Sequence, residues 1–309
     1  MTPPVFLKKG RKVRNYDLYA NHAWYVPGVG GMFSLLGWFL LGNLIGGFLV
    51  LLLNAIVPGI ADYQMLIVYP LSFLPAMVYA ARKSQKNSLF EPGYKLNSSN
   101  FAPFKGWQLA LITVLLTFAT MIAADLPNYW NVKLTNALGM EEFYNSVQSM
   151  MESMTTGPFW SSFLLVAIFA PIFEEWLCRG MVLRGLLTKM KPVWAIVVSA
   201  LFFALIHLNP WQALNAFIIG VVMGVVYYRT GSLLLTMLIH FVNNGFSVIA
   251  SQFVDTAETA DFWIEMMPLS TYIPVYIAGV AVLAACIWAF LRIPLQQERG
   301  NIDAVEIEV

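Results

Sequence analysis

Two adjacent glutamates and an arginine interrupt an apolar stretch of this sequence. Glu174, Glu175 and Arg179 lie in Ala-Pro-Ile-Phe-Glu-Glu-Trp-Leu-Cys-Arg-Gly, which has the pattern of a continuous helix over about 158–188. An ionisable side chain inside a membrane-spanning helix costs about 2.5–3.5 kcal/mol on insertion scales, so such side chains are functional candidates. These three residues are therefore the first candidates for chemistry.

Helical spacing gives the two glutamates different roles. Glu175 precedes Arg179 by four residues, which is the favourable order for an ion pair along a helix, and we interpret this pair as structural. Glu174 projects about 100° away from Glu175 and has no basic residue at helical spacing. A carboxylate without such a partner suits a general base.

Two of the three histidines follow this cluster in apolar stretches. With a turn near 190–191, Glu174 and His207 are each about 16 residues from the turn, so an antiparallel helical hairpin places them at similar depth. His240 and Asn244 are four residues apart and share one helix face, where they offer two hydrogen-bond donors.

These side chains suit two kinds of chemistry. Peptide hydrolysis needs a base beside the attacking water and donors aimed at the developing oxyanion. We favour hydrolysis without a metal ion or other cofactor. One carboxylate is expected to pair with Arg179, and the Asn244 amide is a better hydrogen-bond donor than zinc ligand. The alternative is a catalytic zinc ion held by carboxylates and imidazoles. Its ligands would be Glu174, Glu175, His207 and His240.

The composition indicates which elements carry these residues. Of the 309 residues, 59% are hydrophobic and 11% are charged, against about 25% charged residues in an ordinary soluble domain. Apolar runs of about 20 residues match the thickness of a bilayer. We predict an all-α polytopic membrane protein with about eight transmembrane helices and a conical or bundled core. The least definite boundary is the break at 208–211, between the fifth and sixth spans. The predicted spans are 32–56, 64–81, 106–124, 158–178, 192–208, 211–228, 232–252 and 272–291.

The basic residues predict the topology, because cytoplasmic segments are enriched in Lys and Arg. With alternating spans and a cytoplasmic start, every Lys and Arg except Lys133 falls in or beside a cytoplasmic segment. We therefore expect a multi-pass protein of the cell inner membrane with both termini in the cytoplasm. The net charge of +1 gives no reason to expect a nucleic-acid partner.

The chain divides into four predicted regions within one membrane domain. A basic cytoplasmic arm covers 1–31, and an N-terminal transmembrane region covers 32–157. The latter includes the segment 141–154, which has helical spacing and is interpreted either as an interfacial helix on the outer surface or as a connector helix. Residues 158–252 form the catalytic core, and 253–309 contain an outer loop, the last span and a cytoplasmic tail.

Three motifs occur in a fixed order in the core. They are Glu-Glu-x-x-x-Arg at 174–179, Phe-x-x-x-His at 203–207 and His-x-x-x-Asn at 240–244. The ordered set resembles the CAAX protease and bacteriocin-processing enzyme family, which includes the type II CAAX prenyl endopeptidases. The resemblance covers about 165–250. Cys178 is a departure, because many relatives have Phe before the Arg of the first motif.

The resemblance implies an intramembrane endopeptidase. Glu174 and His207 would then position and activate a water molecule, and His240 and Asn244 would form the oxyanion hole. The same resemblance gives supporting roles to Phe203, Glu175 and Arg179. The expected partners are the lipid bilayer and a peptide or membrane-protein substrate.

Two other functions fit the same pattern of residues. A protein of this fold that does not catalyse hydrolysis would act by binding, as a bacteriocin-immunity factor or a membrane scaffold. An ion or proton-coupled transporter would use the buried carboxylate and histidines as a relay. The sequence shows no inverted repeat of the kind that many transporters contain.

Overall fold

We analysed a computed structural model of the chain, which describes residues 25–57, 59–60, 63–84, 101–155, 157–253 and 262–294. Most of the predicted basic arm, the loop 85–100, most of the outer loop after 253 and the predicted tail lie outside the described residues. Everything regular within the described residues is helical, which confirms the predicted fold class.

Ten helices, α1 to α10, make up the described fold. α3 continues through a π-helical turn, Asn136–Met140, into α4, and α5 is one continuous helix with π-helical stretches. In order, the helices are Val29–Ile56, Gln64–Lys83, Gly106–Thr135, Glu141–Thr155, Phe159–Leu187, Pro192–Ile206, Pro210–Thr230, Leu233–Phe253, Trp263–Met266 and Leu269–Leu291.

Seven helices among the described residues are long and apolar enough to cross a membrane. The exception among the eight predicted spans is the fifth, predicted over 192–208. It is the 15-residue helix α6, Pro192–Ile206, which is about 22 Å long and therefore shorter than a bilayer core of about 30 Å. The prediction of a polytopic membrane protein is confirmed, with α6 as a short helix inside it.

The outer surface of the helices is apolar. On α1, the exposed fractions of Leu44 and Leu51 are 74% and 70%, and Phe48 is similarly exposed. Such a surface would be unstable in water but is the expected surface of a helix that faces lipid. The charged side chains of Glu175 and Arg179 on α5 are buried instead.

α6 and α7 form a helical hairpin with a break at residues 207–209. Leu208 has a positive φ of 52°, which ends α6. The side-chain oxygen of Asn209 accepts hydrogen bonds from the backbone N–H groups of Trp211 and Gln212, and Pro210 occupies the first turn of α7. This is an N-cap followed by a helix-initiating proline. The predicted break therefore exists, and His207 lies at the end of α6.

The predicted segment 141–154 is helical and corresponds to α4, Glu141–Thr155. The rings of Phe143 and Tyr144 contact the ring of Trp211 with centroid distances of 5.2 and 5.4 Å. α4 therefore packs against the start of α7. The side chains of Met150, Met151 and Met154, which the prediction included, lie outside the described residues.

Close packing of α1 on α2 depends on Gly42. A Cβ atom at this position would overlap the backbone carbonyl of Ser72 and lie 3.2 Å from Pro75 Cδ. Small residues of this kind let transmembrane helices approach closely. Gly47, five residues further along α1, has open space around it.

We predict that Gly42→Ala lowers the free energy of unfolding by about 1–3 kcal/mol, because an overpacked contact must separate the two helices. Gly47→Ala is the matched control and should leave stability unchanged or slightly higher. The measurement is the thermal unfolding midpoint of each variant in one detergent. Equal midpoints for the two variants would contradict the packing described.

Candidate active site

The backbone of α5 is irregular on both sides of the two glutamates. π-helical stretches at Phe163–Phe169 and Trp176–Leu183 flank Ala170–Glu175. In the first stretch the N–H of Ala170 donates to the carbonyl of Leu165, five residues earlier. The same pattern would direct the N–H of residue 171 to the carbonyl of Val166. Residue 171 is a proline and has no N–H, so the carbonyl of Val166 is left for another donor.

Asn244 supplies that donor. Its Nδ2 atom lies 2.9 Å from the carbonyl oxygen of Val166, and its Oδ1 atom accepts a hydrogen bond from Asn243 Nδ2 at 3.1 Å. The proline of α5 thus fixes the orientation of an amide on α8. One of the two hydrogens on Asn244 Nδ2 is used in this way, and the other is available for a ligand.

Glu175 and Arg179 form a fully buried ion pair. Arg179 Nη1 lies 2.6 Å from Glu175 Oε1, and neither side chain is exposed. Arg179 Nη2 also donates to the carbonyl of Gly220 at 3.1 Å, and the guanidinium lies over the ring of Phe203 at 4.4 Å from its centroid. A charge buried in this way must be paired and hydrogen-bonded, so the arrangement fits a structural role.

His240 connects this pair to the other glutamate. Its Nδ1 atom lies 3.2 Å from Glu175 Oε1, and its Nε2 atom lies 4.0 Å from Glu174 Oε2. Because a carboxylate oxygen only accepts, Nδ1 carries the proton of that hydrogen bond. The ring of Phe203 packs edge-on against the imidazole at a centroid distance of 5.5 Å.

His207 faces Glu174 from the end of α6. Its Nδ1 atom lies 2.7 Å from the carbonyl oxygen of Phe203, a backbone acceptor left without an N–H partner as the helix ends. A carbonyl only accepts, so Nδ1 is the protonated nitrogen and Nε2 of the neutral ring is an acceptor. His207 Nε2 lies 3.8 Å from Glu174 Oε2. The predicted hairpin therefore brings these two side chains together.

Sequence reasoning missed Tyr69. Its hydroxyl donates a 2.5 Å hydrogen bond to Glu174 Oε1 from α2, across 105 positions of the chain. The bond holds one carboxylate oxygen, so the other oxygen is directed toward the histidines. No spacing rule relates the two residues, and the available signal was a tyrosine inside an apolar span rather than at its end.

A small pocket opens beside both histidines. The pocket is lined by residues identified from the sequence and also by the side-chain amides of Gln212, Asn215 and Asn243. The side chains of Glu174 and His207 are 13% and 14% exposed, and Glu174 Oε2 is a buried oxygen without a hydrogen-bond partner among the described residues. The full lining is Phe203, His207, Gln212, Asn215, Ala216, Ile219, His240, Asn243 and Asn244.

Of the four alternative zinc ligands, Glu175 is held by Arg179 and by His240 Nδ1, whereas His240 Nε2 and His207 Nε2 both face Glu174 Oε2. Among the described residues, no group of three or more His, Cys, Asp or Glu side chains is arranged to hold a metal ion.

The fold and the site define a class of protein: an all-α, multi-pass membrane protein with a cluster of acidic, basic and histidine side chains within its helices. Residues 156–246 match the family described as type II CAAX prenyl endopeptidase Rce1-like. This match confirms the resemblance to the CAAX protease family, which is a family of hydrolases. Comparison with curated proteins and with solved structures gave no match.

The buried ion pair predicts an asymmetric response to mutation. Arg179→Met removes the guanidinium that pairs with the buried Glu175 carboxylate, and we expect a loss of about 3–5 kcal/mol of unfolding free energy. Adding Glu175→Gln should restore a large part of that loss, because the buried carboxylate charge is removed. Unfolding of both variants in detergent measures the difference. A double variant that is less stable than Arg179→Met would contradict a structural role for the pair.

Proposed function

We propose that this protein is an intramembrane endopeptidase in which Glu174 and His207 activate a water molecule. The observation that carries the proposal is the 3.8 Å separation between Glu174 Oε2 and His207 Nε2. The distance is too long for a direct hydrogen bond. Both atoms are acceptors when the histidine is neutral, so a water molecule between them can donate one hydrogen to each.

Such a water is well placed for attack. With both hydrogens held, its oxygen lone pairs point away from the two bases toward a substrate carbonyl. The oxygen adds to the carbonyl carbon while Glu174 or His207 takes a proton. The C–N bond then breaks, the proton passes to the leaving nitrogen, and one water is consumed to give a carboxylic acid and an amine.

The oxyanion is assigned to His240 and Asn244. Because His240 Nδ1 donates to Glu175, donation from Nε2 requires the imidazolium form. Asn244 contributes the hydrogen on Nδ2 that Val166 does not use. Donors held in advance of the reaction stabilise a developing oxyanion most effectively.

We propose that the reaction needs no metal ion. Glu175 is paired with Arg179 and has a structural role, so Glu174 is the carboxylate that takes part in the reaction. Tyr69 further restricts Glu174, because its hydroxyl occupies Oε1. The remaining functional groups are those that base-catalysed hydrolysis uses.

Mutation of the base tests this function directly. We predict that Glu174→Gln lowers cleavage by at least about 100-fold, because an amide cannot accept the proton of the attacking water. The assay uses purified protein in lipid with a panel of farnesylated and unmodified peptides. Glu142→Gln, at an exposed position of α4, is the control and should cleave like the wild type.

Either of two outcomes would contradict the assignment. If Glu174→Gln cleaves as fast as the wild type, Glu174 is not the base. If the wild type cleaves none of the peptides, the binding functions considered from the sequence gain support over hydrolysis.

Tyr69 is predicted to act as a positioning residue. Tyr69→Phe removes a hydrogen bond to a charged group, which is worth about 1.5–3 kcal/mol, so the unfolding midpoint should fall and kcat should fall about 10-fold or more, while KM stays unchanged. Tyr79→Phe removes a hydroxyl of the same helix that lies 3.4 Å from Tyr25 instead, and it should leave kcat unchanged. An increase in KM with kcat unaffected would assign Tyr69 to substrate binding.

A further inference from the structure

One end of the helix bundle carries nearly all the described basic residues. Contacts between chain segments show which helix ends lie together. Arg184 Nη2, near the end of α5, donates to the carbonyl of Tyr25 just before α1 at 2.7 Å, and Arg229 Nη2, at the end of α7, donates to the carbonyl of Leu291 at the end of α10. The basic residues on this side are Arg82, Lys83, Lys105, Arg184, Lys189, Lys191, Arg229 and Arg292.

The opposite end is nearly free of basic residues. Trp211 Nε1 at the start of α7 donates to Thr135 Oγ1 at the end of α3 at 2.6 Å, and Gln252 Nε2 near the end of α8 donates to the carbonyl of Gly157 before α5 at 2.8 Å. Lys133 is the single basic residue that the described structure places here. Lys and Arg concentrate on the cytoplasmic side of a membrane protein, so this end is the extracytoplasmic one.

The pocket of the candidate active site lies toward this second end. His207 comes directly after the last residue of α6, and Gln212 and Asn215 lie in the first two turns of α7. At 1.5 Å per residue, Asn215 is within about 8 Å of the start of its helix. The α6 and α7 part of the pocket therefore faces the extracytoplasmic side, whereas His240, near the middle of α8, lies at a deeper position in its lining.

The lining of the pocket favours a neutral, polar ligand. Side-chain amides of Gln212, Asn215 and Asn243 offer both donors and acceptors. Asn215 is oriented by Asn128, whose Nδ2 atom donates to Asn215 Oδ1 at 3.2 Å. Apart from the two histidines, the described residues that line the pocket carry no charged side chain.

This lining fits the main chain of an extended peptide. Each peptide unit has one donor and one acceptor, which side-chain amides can satisfy together. A terminal carboxylate would instead lose its hydration beside Glu174, because Arg179 is already paired with Glu175 and His240 already faces both glutamates. An internal peptide segment therefore matches the pocket better than a free C-terminus does.

We propose that this pocket binds a neutral, extended peptide segment on the extracytoplasmic face, with its main chain held by the amides of Gln212, Asn215 and Asn243. Cleavage of the bound segment rests on the proposed endopeptidase function. Binding of the segment, and the side of the membrane on which it binds, do not depend on that function. The proposal assigns the substrate to peptides or membrane-protein segments exposed outside the cytoplasm, and it excludes cytoplasmic C-terminal motifs.

Labelling of single cysteines tests the face without any cleavage assay. In intact bacterial cells that express the full chain, a membrane-impermeant maleimide should label Leu208→Cys, which is next to His207 and 65% exposed. Lys189→Cys, an exposed position at the opposite end, should react only after permeabilisation. The native Cys178 and Cys286 are buried, so the wild type should not be labelled and serves as the negative control. The reverse labelling pattern would overturn the proposal even if peptides are cleaved.

Protection of Ala216→Cys, which lines the pocket without supplying one of its three amides, tests the ligand. Acetylated tetrapeptide amides of apolar sequence, at about ten times their dissociation constant, should slow modification by a small impermeant reagent about tenfold. The same peptides with free C-terminal carboxylates should protect less. Leu208→Cys, outside the pocket lining, controls for general shielding and should be slowed little. Equal or better protection by the free acids, or none by either peptide class at millimolar concentration, would overturn the assignment of the pocket.

Discussion

The buried ion pair of Glu175 and Arg179 is the interaction on which the rest of the site depends. In an apolar bundle, two such side chains are tolerated because each charge is paired and the guanidinium has further partners. Arg179 reaches the carbonyl of Gly220 on α7 and the ring of Phe203 on α6. The pair therefore ties α5 to both helices of the hairpin that carries His207.

The same pair separates two chemically identical carboxylates. Glu175 binds Arg179 and His240 Nδ1, which leaves Glu174 as the carboxylate that faces Nε2 of both histidines. The irregular backbone contributes to this arrangement. Pro171 leaves a carbonyl that orients Asn244, and the end of α6 at Ile206 leaves a carbonyl that orients His207. Each orienting contact uses a backbone group that a regular helix would have consumed.

Local spacing was sufficient to predict the parts of the site that lie on single helices. The Glu175–Arg179 contact and the shared face of His240 and Asn244 follow from the helical repeat. The meeting of Glu174 and His207 followed from equal distances to a turn. Tyr69 was not predictable, because its contact with Glu174 spans 105 positions and depends on how α2 packs against α5.

The membrane fold was predictable because apolar runs have a length that the bilayer sets. The exception, α6, shows the limit of that rule. Its apolar run over 192–208 continues past the residues that are helical, because Leu208 has a positive φ and Asn209 caps the next helix. The apolar runs predicted a break here, but run length alone did not predict that α6 ends at Ile206. The orientation of Asn244 could not be predicted either. It depends on the carbonyl of Val166 on α5, which has no N–H partner because residue 171 is a proline.

The central claim is that a carboxylate and a histidine activate water in the membrane without a metal ion. The most direct measurement is peptide cleavage by the purified wild type in lipid after treatment with a chelator, with the bound metal quantified in the same sample. A metal-free mechanism predicts an unchanged rate when the protein holds far less than one metal ion per chain. Loss of cleavage on chelation, with recovery when zinc is returned, would contradict it.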